Sequence, residues 1–476
     1  MRYPPRSRSP LRLGFVPLND CAPIVMAHEL GLFAKYDLSV QLSREIGWAT
    51  VRDKIIYGEL EAAHAVAGLV FVCSFGLGAI RADCLTALVL NLHGNAITLS
   101  NELRACGVRD GKTLKAEVER TRGKRLFTFG VAFPFSSHNF ILCEWLRAAG
   151  IEPQVDVDIV TVPPPQMFPN LRAGNLDGYC VGEPWNSLAV MRRAGWCAAT
   201  SAELAPLHPE KVLMVRRNFA EERETEHLAL IAALIEACNF CDRPENRERV
   251  TETLAQPQYL DAPIRALRMS MNGTFDFGHG RVEKDSDFNV FSRHGANEPT
   301  SEKGEWVLQQ MCTSGALKDP TLIRPDSIVK LFRADIFRKA AQLIENQRPA
   351  WGNATAKLAP ANPRTSPSRR VAWKLVNPRI QAQANPAITV SWAMTPVFFA
   401  PIRSTSSPSR IRRTAPDKIG TATMRPFCSA ESPSVSPICT PSGPNTVQIM
   451  KLKSKYKKAA RRVGQWPVRL KSDSFT

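Results

Sequence analysis

Between Val162 and Asn186 the chain reads VPPPQMFPNLRAGNLDGYCVGEPWN, and few folds can accommodate that stretch. Pro163, Pro164 and Pro165 offer no backbone donors, so they end the strand 155–161 and cannot sit in a helix interior. Residues 166–172 fit a short helix closed by Gly174, and 176–181 fit a short buried strand. Gly182-Glu183-Pro184-Trp185 then restarts a helix, with Pro184 near the first turn, where proline is tolerated. Strand, helix, strand and helix packed this closely belong in a parallel α/β lobe. The ligand crevice of such a lobe opens at the carboxyl ends of its strands.

The same alternation runs through the flanking sequence. Residues 11–18 form a first strand, Asn19 and Asp20 cap a helix over 22–36, and 39–46 form a second strand. Gly47-Trp48 leads into a helix over 49–57, and strands follow at 63–67 and 85–92 with an apolar helix between them. The chain is expected to cross to a second lobe within 98–109, where 125–133, 156–161 and 178–181 are strands and 137–149 a helix. Residues 211–216 read as the returning strand, and helices fill 226–241, 245–254, 302–314, 327–332 and 335–346. The expectation is an α/β clamp of two parallel-sheet lobes with a ligand between them. Residues 10–100 and 209–350 would build lobe 1 and 101–208 lobe 2, with crossings near 100 and 205.

A net charge of +18 invites a nucleic-acid or membrane reading, but its distribution removes it from the body. Residues 355–476 hold 21 Lys and Arg against 3 Asp and Glu, which leaves 1–354 with 41 of each sign. That tail also carries 15 of the 36 prolines and little apolar periodicity, a composition that predicts disorder. Its basic run 451–462 would suit a polyanion, nucleic acid or anionic membrane, but the composition favours a non-homologous extension, such as out-of-frame translation, with no selected role. Residues 1–10 are basic and proline-rich, with no apolar segment and cleavage site of a secretory signal, and no apolar run of transmembrane length occurs. Twelve scattered cysteines, mostly in apolar surroundings, suit reduced thiols and hence a cytoplasmic location; a start placed too late in the gene would instead hide an export signal. Cys238 and Cys241 form a CxxC inside an expected helix, without the second pair a metal site needs.

The run from Pro163 to Asn186 resembles the solute-binding proteins of nitrate and bicarbonate transporters and their cytoplasmic nitrate/nitrite-sensor relatives, over roughly residues 10–350. That resemblance implies a periplasmic-binding-protein-like clamp of type II. It also singles out four side chains. Trp48 stands at a strand-to-helix turn, where the nitrate binders carry a Trp, although such a residue often only fills a lobe interface. His138, beside Ser136 and Ser137 at a helix entry, matches the anion-contacting His of those proteins; a lone His is otherwise most often structural. Lys211, in His208-Pro209-Glu210-Lys211, matches their nitrate-pairing Lys, where most lysines would be solvated. Asn95 stands where relatives often have Gln, and its shorter reach is a departure. Gln166 and Glu183 belong to the strongest motif and are second-tier cleft candidates.

Nitrate has acceptors only, so its pocket needs donors such as Lys211, His138, Trp48 and an amide. Bicarbonate also donates an O–H and calls for a carboxylate, which Glu183 would supply if it faced the cleft. No P-loop, G-x-S-x-G, H-E-x-x-H or G-x-G-x-x-G follows a strand, so no cofactor, metal or catalytic residue is expected. The resemblance therefore implies a nitrate or nitrite binder. Its partners would be the permease and ATPase subunits of an ABC importer or, for a sensor, an RNA-binding antiterminator. The alternatives are a bicarbonate binder, or an enzyme of the thiamine-precursor type on the same fold.

Overall fold

The computed structural model describes residues 9–324 and 326–347. Its strands, in chain order, are β1 (Leu11–Phe15), β2 (Val40–Arg44), β3 (Ala62–Val66), β4 (Cys84–His93), β5 (Asn95–Ser100), β6 (Thr128–Val131) and β7 (Asp158–Thr161). They continue with β8 (Gly178–Gly182), β9 (Gly195–Thr200), β10 (Pro209–Arg216), β11 (Thr274–Gly278), β12 (Arg281–Lys284) and β13 (Asn289–Val290). One sheet has the order β13-β4-β10-β3-β1-β2, the other β7-β6-β8-β5-β9, and β11-β12 is a separate hairpin. Each sheet is built from the alternating strands and helices legible in the sequence, one sheet per lobe.

The sheets are mixed rather than wholly parallel. β1, β2 and β3 pair in parallel, as do β6, β7 and β8, and these are the strand-helix-strand units. β4, β5, β9 and β10 carry the chain between lobes, and β5 and β10 therefore leave the cleft where neighbouring strands arrive, giving antiparallel pairs. The first crossing lies at Gly94 rather than near 100, because the apolar run 84–100 is one strand path broken by two left-handed residues. These are His93 (φ 63°) and Gly94 (φ 97°). A side chain at Gly94 would also meet Asn289 Oδ1 at 2.5 Å from its Cβ. The second crossing spans 201–208. The strands β5 and β9 and the hairpin β11-β12 were not anticipated.

The prolines behave differently from expectation. Pro164 and Pro165 sit in the first turn of the helix Pro164–Ala173, where the N–H that proline lacks would have had no intrahelical acceptor, and Gly174 closes it at φ 78°. The helix expected over 22–36 is cut by Gly31 (φ 67°) into Ala22–Glu29 and Leu32–Lys35. Behind the lobe 1 sheet, Glu224–Asp242 is apolar nearly all round, as a helix buried on most sides must be, and Cys238 and Cys241 are buried in it. No helix among the described residues is long and apolar enough to cross a membrane. The basic tail, with its run 451–462, and most of the amino-terminal segment lie outside the described residues.

Candidate functional site

The carboxyl ends of β1, β2, β3, β6 and β8 and the amino ends of β5 and β10 all face one region between the lobes. Topology therefore delivers Asp20, Trp48, His138 and Glu183 from segments following strands, and Asn95, Glu210 and Lys211 from strands that begin there. All seven are buried. Trp48 opens the helix Trp48–Tyr57 after the fully extended Gly47, and His138 lies in the first turn of Ser137–Ala148, capped by Ser136.

Adjacent residues of a regular strand point to opposite faces, so Glu210 and Lys211 should diverge. Register shifts on either side of Lys211 in the β10–β4 pairing bring both to the cleft. Lys211 Nζ donates to Glu210 Oε1 at 2.5 Å and to Asp20 Oδ2 at 2.7 Å. Glu210 Oε2 accepts from Asn95 Nδ2 at 2.7 Å, from Ser137 Oγ, and faces His208 Nε2 at 3.1 Å. Glu210 thus ties lobe 1 to a strand and a helix of lobe 2. His64 Nε2 lies 2.9 Å from Asp20 Oδ1, off the hydrogen-bond axis.

The electrostatics follow from burial set against pairing. Burial alone would raise the Asp20 and Glu210 carboxyls, but the Lys211 ammonium outweighs it and holds both below their usual range, Glu210 well below. Burial would lower Lys211, and the two carboxylates instead raise it. His64 and His138 are lowered chiefly by burial, His138 to about 4. Glu183 is pushed up by burial to about 7; its Oε2 accepts from the Ser187 N–H at 3.2 Å while Oε1 has no partner. Its contacts are with the start of Trp185–Met191, not with Lys211.

Two donor-bearing rings sit beside the Lys211 ammonium. Trp48 lies 5.3 Å from Lys211 Nζ and 5.5 Å from the His138 ring. Trp48 Nε1 and both His138 ring nitrogens are buried without hydrogen-bond partners; His138 Nε2 stands 3.6 Å from Glu210 Oε1, beyond bonding reach. A buried orphan donor costs about 1–3 kcal/mol, so this arrangement is poised to receive an acceptor. The expected residues Trp48, Asn95, His138 and Lys211 come together. Gln166 does not: it is exposed on Pro164–Ala173, with the helix's buried face formed by Met167, Phe168 and Leu171. Asp20, expected as a helix cap, instead binds Lys211. Asp20, His64, His208 and Glu210 were missed as site members.

The two crossings are fastened together. His93 donates from Nδ1 to Asp287 O at 2.8 Å and accepts from Leu207 N–H at 2.5 Å, which requires a neutral ring; burial lowers it to about 4. His208 stacks between His93 and Trp306 at 5.2 and 5.1 Å. Elsewhere the lobes meet where Gly68, opening Gly68–Phe75, lies under the Phe135 carbonyl, 2.1 Å from where a Cβ would stand.

The NMT1-like family matches residues 5–255. The nitrate import ATP-binding protein NrtC of Synechocystis sp. is 37% identical over 335 residues, 70% of this chain and 50% of NrtC. The bicarbonate transport ATP-binding protein CmpC of Synechococcus elongatus is 35% identical over 314 residues, 65% of this chain and 46% of CmpC. The chain therefore spans about half the length of those two relatives. The nitrate/nitrite binding protein NrtA of Synechococcus elongatus is 33% identical over 347 residues, 71% of this chain and 78% of NrtA. The crystal structure of the periplasmic nitrate-binding protein NrtA from Synechocystis aligns with a TM-score of 0.68 and 27% identity, over 71% of this chain and 90% of that one.

Proposed function

Because the chain belongs to the NMT1-like family, we propose that it is a solute-binding protein whose two lobes close over a small oxyanion, nitrate or nitrite. The observation that carries this reading is the set of buried, unpartnered donors, Trp48 Nε1 and the His138 ring, beside Lys211. Nitrate has only acceptors and satisfies such a set without bringing a donor of its own. Similarity to nitrate/nitrite binding protein NrtA and to the NrtC import protein supports the same ligand, and points to the permease and ATPase of an ABC importer as partners.

A second reading has its own observation. Asp20 and Glu210 flank Lys211, and either carboxylate could accept the O–H of bicarbonate. Glu183, an acceptor for bicarbonate only if it faced the cleft, contacts its own helix instead.

Calorimetric titration of the full chain with nitrate, nitrite, bicarbonate and sulfate separates the readings. Micromolar nitrate binding, about −8 kcal/mol, abolished in Lys211→Ala and weakened in His138→Ala, is the expected result. Bicarbonate binding without nitrate binding reverses the assignment, and no heat with any of the four overturns the oxyanion reading.

A further inference from the structure

The charges around the donors do not balance for an incoming anion. Lys211 is bracketed by Glu210 at 2.5 Å and Asp20 at 2.7 Å, so one ammonium faces two carboxylates. A proton on His208, whose Nε2 faces Glu210 Oε2 at 3.1 Å, would bring that set only to zero. A monovalent oxyanion added beside them leaves net negative charge among groups that are all buried, the costliest arrangement an interior can hold. A positive charge has to arrive with the ligand.

The group placed to carry it is His138. Its ring nitrogens have no hydrogen-bond partner, Nε2 stands 3.6 Å from Glu210 Oε1, and the ring lies against Trp48. The titratable groups that face it are Glu210 and Lys211 from β10, Asp20 from the segment after β1, and His208 from the second crossing. His64 faces Asp20 from β3.

We propose that this protein takes up its oxyanion together with a proton, drawn from solvent onto the His138 ring. The inference rests on the oxyanion reading above and specifies the bound species. As an imidazolium, His138 donates from both nitrogens, to the oxyanion on one side and toward Glu210 on the other. Burial keeps the free ring neutral down to about pH 4, so near neutrality the proton comes with the ligand rather than before it. Glu210, which accepts from Lys211, Asn95 and Ser137, is then the charge that makes the proton necessary.

The test is titration of the full chain with sodium nitrate, which does not itself titrate, in buffers of high and low ionisation enthalpy from about pH 5 to about pH 8. The binding heat should differ between buffers by up to about one proton per site, and Kd should weaken by up to tenfold per pH unit where uptake occurs. His138→Gln should lose the buffer dependence. Glu210→Gln, with one carboxylate fewer, should bind nitrate at least about tenfold more tightly at pH 8, with a flatter pH profile. Nitrate binding with buffer-independent heat and a constant Kd overturns the inference and leaves the oxyanion reading standing. Absence of nitrate binding at every pH overturns both. If Glu210→Gln fails to fold, the wild-type buffer dependence decides alone, and uptake that persists in His138→Gln overturns the assignment to His138.

Discussion

Replacing Lys211 with Met keeps the length of the buried stem and removes the ammonium, and so isolates what the charge does. Lys211 is 0% exposed, and Asp20 and Glu210 are its hydrogen-bonded carboxylates. Breaking a buried ion pair by removing one partner costs about 3–5 kcal/mol. Each stranded carboxylate can limit its own cost by taking a proton, at about 1.4 kcal/mol per pH unit above a normal value near 4, so the ceiling at pH 7.5 is about 5 kcal/mol for each. Unfolding entropy of about 2.1 cal/mol/K per residue, over roughly 340 residues, makes each degree worth about 0.7 kcal/mol, and the Tm should fall by about 4–7 °C. The pH dependence carries the sign. In the wild type both carboxyls titrate below their unfolded values, so their contribution is present above that range and is lost only as pH falls through the depressed folded values. In the variant the ammonium that chiefly opposes burial is gone, so their folded values rise, and the deficit shrinks as pH falls toward about 4. Calorimetric scans at pH 8 and pH 5 should therefore show the larger gap at pH 8. A Tm loss under about 1 °C that does not change with pH would refute Lys211 as the counter-ion of this pair.

Three further outcomes are expected. Glu183 titrates near 7 in the fold, so the ionised protein loses stability as pH rises from the unfolded carboxyl value through 7. Glu183→Gln should be more stable than wild type at pH 8 by on the order of 3 kcal/mol and nearly equal at pH 4, read from urea unfolding at both values. Gly68→Ala places a Cβ 2.1 Å from the Phe135 carbonyl and should prop the lobes apart, weakening nitrate binding at least about tenfold with little change in Tm; unchanged affinity would show that the bound form does not need this contact. Gly94→Ala strains a φ of 97° and collides with Asn289, and should cost about 1–3 kcal/mol in urea unfolding.

Much of this was legible in local sequence because it depends on local physics. Strand-helix alternation, the proline-stiffened turn and the Gly174 stop are all set within a few residues, and the strands they define bring Trp48, His138 and Lys211 to one place. What escaped depends on distance in sequence. Asp20 meets Lys211 across 191 positions, and nothing near Asp20 distinguishes it from a helix cap. Glu210 was adjacent to the strongest candidate and still passed over, because only a register shift in β10 turns two consecutive side chains to the same side. Gln166 failed for the converse reason: it shares the motif but lies on the outward face of its helix. The strand β5 was missed because a crossing at a single glycine leaves no loop to read between it and β4.

The place of β10 has a consequence for how the chain is made. It lies between β3 and β4, so the first sheet lacks an inner strand until residues 209–216 have been synthesised. Lobe 2 is contiguous: all five strands of its sheet fall within residues 95–200. On a ribosome, where domains fold as units while the chain is still emerging, the second lobe has its whole sheet before the first does. The amino-terminal strands must wait with a gap among them, exposing unpaired edges of an apolar sheet until β10 arrives. Those edges are where a chaperone would be needed, and where slowed translation between β9 and β10 would be felt as aggregation.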